Sequence, residues 1–334
     1  MSNNDTSIDA VISWVDGSDH EHRQKRLRAL EAETGVPQNQ IATAKDPTRF
    51  LDNGEIYFCI HSIRKFIPWI RRIYLVTDNQ KPEFLTPEVQ KQLNIHIVDH
   101  TEIFAGYEWA LPVFSSRTIE TALWRIPDIA PRFIYFNDDF VLTRPLPREE
   151  FFTNGSVVLR GKWSRATRYG NLRMKVNDFA THAARRFLGI TRSMHLLLQI
   201  RSARLAGIDG HYFRMPHVPH PIRTETLHHW FDQHHDLFKK NIAYKFRNSD
   251  QFSALFVAHH LEIQNGRAEL RDANDHIMIN GEMDIGVSLH RKLNQIERRN
   301  VGFVCLNGME KFKERHRQYI KQTLDALVET EDKE

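Results

Sequence analysis

Apolar residues fall into short runs separated by helical patterns. Residues 8–15 (IDAVISWV), 72–77 (RIYLVT), 95–98 (IHIV), 132–136 (RFIYF) and 301–306 (VGFVCL) are compact, rich in β-branched and aromatic side chains, and predict buried strands. Ser18 with Glu21 three residues on predicts a capping box at the start of the first helix. Asp52-Asn53-Gly54-Glu55 opens a second, in which Ile56, Cys59, Ile60 and Ile63 recur at helical spacing. Ser115 or Ser116 caps a helix running through Glu120 and Trp124 to Arg125, with Pro127 just beyond. Strands alternating with helices predict an α/β fold: a mainly parallel sheet with helices on both faces.

After residue 150 the pattern changes. Residues 156–214 carry twelve Lys and Arg against only Asp178 and Asp209, and read as a basic helical insertion or lid. Pro216, Pro219 and Pro221 break the chain, and a helical stretch follows over 223–239. From Glu310 to Val328, Phe312, Tyr319, Ile320, Leu324 and Leu327 form an apolar stripe, predicting an amphipathic helix docked on the body.

Charge and composition narrow the partners. The net charge of the 334 residues is +4, too small for a uniform nucleic-acid binder, while the local excess in 156–214 favours an anionic partner. Two cysteines, Cys59 and Cys305, give no disulfide framework and suit a reducing compartment. The polar start MSNNDTSIDA has no apolar signal core, and no uncharged apolar run reaches the ~18 residues of a spanning helix. The expectation is a cytoplasmic protein, at most peripheral to the inner face of a membrane.

Several groups carry candidate chemistry. Asp16, Gly17 and Ser18 form a turn between a strand and a helix start, a place that holds phosphates. Asn137-Asp138-Asp139 ends a strand, where a carboxylate can set Mg²⁺ or Mn²⁺ against a diphosphate; alternation turns only one of the two aspartates to the ligand. Capping and the helix dipole would by themselves explain Glu120, Asp52 and Glu55. His217-Val218-Pro219-His220 is poor helix material, and a loop imidazole there can serve as general base or phosphate donor. Arg247-Asn248-Ser249-Asp250 offers a guanidinium fork for phosphate. His228, Asp232 and His235 could share a helix face as metal ligands, although a solvated face explains them as well.

In combination and order these segments resemble the Stealth family, which includes bacterial capsule polymerases and the lysosomal-targeting N-acetylglucosamine-1-phosphate transferase. IDAVISWVDGSD (8–19) is similar to its first motif. FLDNGEIYFCIHSIRKFIPWIRRIYLVTDNQKP, IVDHTEIF and LPVFSSRTIETALWRIPDIAPRFIYFNDDFVLTRPLP follow its second, and MPHVPHPIR with the later KFRNSD its third. The fourth motif departs: Cys305-Leu306-Asn307-Gly308 keeps the asparagine and lacks the acid after it.

The resemblance implies a GT-A-like nucleotide-binding fold and transfer of a sugar-1-phosphate, of N-acetylhexosamine type, from a UDP-linked amino sugar to a glycan hydroxyl. UMP would leave, in capsule or exopolysaccharide synthesis. It implies one catalytic unit over 1–334, with a nucleotide-sugar-binding core at 1–150, the lid at 156–214, the rest of the site at 215–309 and a C-terminal helix and tail at 310–334. Site positions carry over to Asp9 and the Asp16 turn, to Asp52, Glu120 and Asp139, and to His217 and Arg247. Asp139, Asp138 and Asn307 would hold Mg²⁺ or Mn²⁺. Asp9, Asp16, Gly17, Ser18 and Arg247 would bind the donor; His217, Arg247, Glu120 and Asp52 would be catalytic. The alternatives are a metal-dependent glycosyltransferase releasing UDP, and an anion-binding protein without activity. Beyond the nucleotide-sugar no nucleic acid is expected.

Overall fold

A computed structural model describes residues 7–34, 53–166, 192–248 and 250–329. Its strands are β1 (Ile8–Ser13), β2 (Ile73–Thr77), β3 (Ile95–Asp99), β4 (Arg132–Asn137), β5 (Phe140–Leu142), β6 (Phe152–Thr153), β7 (Ser156–Arg160), β8 (Lys162–Arg165), β9 (His211–Arg214), β10 (His220–Arg223), β11 (Ala268–Arg271), β12 (His276–Asn280) and β13 (Phe303–Asn307). The central sheet runs β10-β4-β1-β2-β3, with β1 to β4 parallel and β10 antiparallel at the edge. Pro221 sits in that edge strand, where its missing N–H costs no ladder bond to a further strand.

Successive residues of β1 point to opposite faces and feed two cores. Ala10 and Ile12 pack with Ile56, Cys59, Ile60 and Ile63 of the helix Glu55–Phe66. Val11 and Tyr135 pack on the other side with Ile119, Leu227, Trp230 and Leu255 from three further helices. Helices therefore cover both faces, as continuous apolar strands require. The C-terminal helix Glu314–Val328 adds Ile320, Leu324 and Leu327 to the first core, so its apolar stripe is spent on the body.

The turn after β4 is clamped from outside the central sheet. β5 leaves that turn and pairs antiparallel with β13, which pairs parallel with β12. The Leu306 amide donates to the Asp139 carbonyl at 2.8 Å.

Local expectations shift at three places. The first helix starts at His20, and its cap is Asp19, whose carboxylate accepts from the His22 amide at 2.8 Å; the Ser18 hydroxyl turns back to Asp16 instead. The 223–239 stretch is two helices, Thr224–Gln233 and His235–Ile242, broken at His234. The basic stretch is not helical throughout: it opens with strands β7 and β8 and closes with β9, which pairs antiparallel with β8, and the helix Arg192–Leu205 precedes β9. Strand alternation between polar and apolar positions is short there, and Arg-rich composition masked it. Residues 167–191 of that stretch lie outside the described residues. No helix among the described residues is long and apolar enough to cross a membrane.

Candidate active site

The chain leaves β1 towards β2 and β3 on one side and returns to β4 on the other, so β1 and β4 flank a topological switch point. Ligands of open α/β sheets enter the crevice at the carboxyl ends of such strands. Here Ser13 lies beside Asn137, and the Tyr135 hydroxyl sits 2.7 Å from Ser13 Oγ and 3.0 Å from Asn137 Oδ1. Burial pushes the Tyr135 phenol well up, which keeps it a neutral hydrogen-bonding group.

Asp139 follows directly. Its Oδ2 accepts from the Cys305 thiol at 3.4 Å, while Oδ1 is buried with no hydrogen-bond partner. Burial raises its pKa, because nothing nearby fully replaces the lost water. Cys305 pairs with Phe140, and continuing that antiparallel register by two residues sets Asn307 opposite Asp138. Asn280 Nδ2 lies 3.5 Å from Asn307 Oδ1. An orphaned carboxylate oxygen just beyond the carboxyl end of β4 fits a hard cation that takes its remaining ligands from a diphosphate and water. The described residues hold no cluster of three or more His, Cys, Asp or Glu that would bind a metal by itself.

Glu120 projects from the helix Ser116–Ala122 and accepts from Ser253 Oγ at 3.2 Å. Burial raises its carboxyl to about 7, against the opposing pull of Arg247 and Arg117. Arg247 keeps an exposed guanidinium and donates from Nη2 to Ser116 Oγ at 2.9 Å. Its charge acts on Glu120, Asp139, Tyr135 and His217. The His217 imidazole is pushed down by burial first, then by Arg247 and His276, so it is neutral at pH 7. A neutral imidazole, a carboxyl titrating near neutrality and a fixed guanidinium thus share one electrostatic site.

A buried amide network holds the Arg247 loop on the Glu120 helix. Gln251, fully buried, accepts from Ser115 Oγ (3.0 Å) and the Asn248 amide (3.1 Å) and donates to Thr118 Oγ1 (2.9 Å). Arg117 Nη1 donates to the Asn248 carbonyl at 2.8 Å. Sequence reasoning missed Gln251, Tyr135 and Cys305, since buried polar supports carry no local pattern; the Tyr two residues before Asn137 was the one available signal.

The structure does not bring Asp9 to this cluster. Its carboxylate is fully buried, takes Nε and Nη2 of Arg71 at 2.9 and 2.6 Å, and accepts from the Ala130 amide at 2.8 Å. It stands beside Phe133, four residues back from the crevice, roughly 13 Å at the rise of a strand. Asp16, Gly17 and Ser18 do lie at the crevice end of β1. The Asp16 carboxylate, however, closes its own turn, accepting from the Ser18 amide (2.8 Å) and hydroxyl (2.6 Å), and Gln80 grips the Asp16 backbone on both sides. Asp138 is half-buried, as Asp139 is, and acts on both cysteine thiols. Asp52 lies outside the described residues. His228 pairs with Asp232 at 3.3 Å on an exposed helix face, consistent with the solvated reading.

Comparison with known proteins adds an independent line. Stealth protein CR1, conserved region 1, matches residues 6–33, and Stealth protein CR2, conserved region 2, matches residues 49–159. The chain is 41% identical to the capsular polysaccharide phosphotransferase LcbA of Neisseria meningitidis over 153 residues, 46% of this chain and 40% of that protein. It thus covers less than half the length of that relative. Over 261 residues it is 30% identical to the receptor polysaccharide phosphotransferase WefC of Streptococcus oralis, covering 72% of this chain and 74% of that one. Among solved structures, the galactosyltransferase LgtC with donor and acceptor sugar analogues aligns at 13% identity and TM-score 0.39, over 84% of this chain and 95% of that one.

Proposed function

The chain belongs to the Stealth family, and on that premise we propose that it transfers a sugar-1-phosphate, of N-acetylhexosamine type, from a UDP-linked amino sugar to a glycan hydroxyl in capsule or exopolysaccharide synthesis. What supports this reading is that the Arg247 charge acts on both the His217 imidazole and the carboxyl of Asp139, the latter just beyond β4 at the switch point. Phosphoryl transfer asks for in-line positioning and neutralised charge more than for covalent help.

In the proposed step the acceptor oxygen attacks the β-phosphorus. A new P–O bond forms, the P–O bond to UMP breaks, and its electron pair leaves on the UMP phosphate. The acceptor proton passes to His217, whose imidazole is uncharged at pH 7 and so able to take it. Arg247, held in place by Ser116, neutralises the transferring phosphate through its planar fork. Glu120 is part protonated near neutrality and orients the acceptor or supports Arg247. Asp139, with Asn307, would hold Mg²⁺ or Mn²⁺, which when bound supplies charge neutralisation on the diphosphate. The Asp16 turn would place the nucleotide end of the donor.

The identity of the leaving nucleotide tests the reading. Attack at phosphorus keeps the sugar C1–O bond and releases UMP; attack at the anomeric carbon releases UDP. Chromatography of the nucleotide product with ³¹P NMR of the glycan should give UMP and a phosphodiester signal. Stoichiometric UDP with a phosphorus-free glycan would make the protein a glycosyltransferase on the same sheet.

A further inference from the structure

One helix outside the crevice grips two separate segments of the site. In Arg192–Leu205 the side chains of Gln199 and Ser202 are fully buried. Three residues apart, they lie on one face of the helix, about 4.5 Å from each other along its axis. Each holds both backbone groups of a single distant residue. Gln199 donates to the Met215 carbonyl and accepts from the Met215 amide, at 2.9 Å each. Ser202 donates to the Ser253 carbonyl at 3.2 Å and accepts from the Ser253 amide at 3.1 Å.

Both grips lead to the reacting groups. Met215 stands two residues before His217, a reach of at most about 7 Å. Ser253 Oγ donates to Glu120 Oε2 at 3.2 Å. Arg201, between the two, donates from Nη1 to the Gln251 carbonyl at 3.3 Å, and Gln251 in turn holds the Asn248 amide next to Arg247. Met215 falls between β9 and β10, and Ser253 caps the helix Ala254–Gln264, so neither takes its place from a strand ladder. Packing does not call for this arrangement, since apolar side chains would fill the same space without the cost of burying an amide and a hydroxyl. A pair of bonds to the N–H and C=O of one residue fixes its height and rotation against the helix, which apolar contact does not.

We propose that Gln199 and Ser202 are positioning residues for the reaction: together they set the His217 imidazole against the Glu120 carboxyl and the Arg247 loop. The assignment rests on the sugar-phosphate transfer reading in that those three groups are the ones positioned. His217 comes from the segment that Gln199 holds, and Glu120 is bonded to the residue that Ser202 holds. One helical turn therefore measures the distance between base and carboxyl. A displacement of even 1 Å between reacting groups costs far more in rate than in ligand affinity.

The test compares Gln199→Met and Ser202→Ala with Ala203→Gly, a change in the same helix that lowers stability without touching either grip. All are made in the full chain. Turnover is measured with UDP-N-acetylglucosamine and a hexosamine oligosaccharide, and donor affinity by calorimetry with the same nucleotide-sugar. Gln199→Met and Ser202→Ala should each lower kcat per folded molecule about tenfold or more while donor affinity changes less than about threefold. Ala203→Gly should lower the melting temperature and leave kcat per folded molecule unchanged. Ser202→Thr keeps the hydroxyl and should restore kcat to within about threefold, so the serine pair decides the matter if Gln199→Met does not fold. A second readout needs no turnover: the ¹H–¹⁵N signals of the His217 ring, identified by their loss in His217→Asn, should move in Gln199→Met and stay in Ala203→Gly. Rates that merely follow melting temperature across the series overturn the proposal, as do unmoved ring signals in Gln199→Met. The two readings fail separately. UDP release with ring signals that move in Gln199→Met sinks the phosphotransfer reading alone. UMP release with kcat and ring signals both unmoved sinks the positioning role alone.

Discussion

Arg247 reaches 131 residues back along the chain to donate its Nη2 to Ser116 Oγ at 2.9 Å, one helical turn before Glu120. Burial raises the Glu120 carboxyl against the pull of the guanidinium held there, and burial lowers the His217 imidazole with a further push from the same charge.

Arg247→Lys keeps the charge and loses the planar fork. If the fork meets the transferring phosphate, kcat should fall roughly tenfold to a hundredfold while donor affinity changes less than threefold. Steady-state kinetics beside calorimetric donor binding separates the two. Equal losses would give Arg247 a ground-state binding role only.

Glu120 makes stability depend on pH in a defined direction. Its folded carboxyl titrates at about 7, above the usual 4.5, so between those values the folded protein holds a proton that the unfolded chain has released. Stability contributed by that proton is present below pH 4.5 and is lost as pH rises through 7. Glu120→Gln should therefore stabilise the protein at pH 8 by up to about 3 kcal/mol and by much less at pH 5. Denaturant unfolding at the two pH values reads this; an effect equal at both would mean that the carboxyl is not held up by burial.

Metal dependence tests Asp139. EDTA should abolish turnover, and Mg²⁺ or Mn²⁺ should restore it. Asp139→Asn should cost at least ~10²-fold in rate. Near-native turnover in the variant would remove Asp139 from the ligand set and leave its buried Oδ1 unexplained.

Asp9 should behave as a structural residue. Removing its carboxylate in Asp9→Ala leaves Arg71 and the Ala130 amide without their acceptor, at a cost of about 3 kcal/mol. Thermal melting should show the loss, while kcat per folded molecule should stay within about twofold. A selective rise in donor KM would instead return Asp9 to the donor site.

Much of this was legible in the chain. Short β-branched runs produced β1, β2, β4 and β13 because their side chains are apolar on both faces, and the edge strand β3 because Ile95 and Val98 are buried around the exposed His96, all local properties. The Asn137-Asp138-Asp139 turn could be placed at a strand's carboxyl end for the same reason. The short strands β5, β10 and β12 were not legible. They are three to five residues long, β10 holds a proline, and each exists only because a neighbouring strand offers it a ladder.

Local pattern thus determined the long buried strands and the amphipathic helices, and the order of motifs pointed to the family. Tertiary structure alone decided which charged residues meet. Asp9 and Asp16 lie in one motif, seven residues apart, yet β1 carries them to opposite ends of the sheet, because strand polarity separates what sequence keeps close. Glu120 and Arg247 are 127 residues apart and share a field, because Gln251 and Arg117 bond the loop of one to the helix of the other. Those bonds are worth making only where the surrounding core excludes water, and that exclusion is a property of the assembled fold.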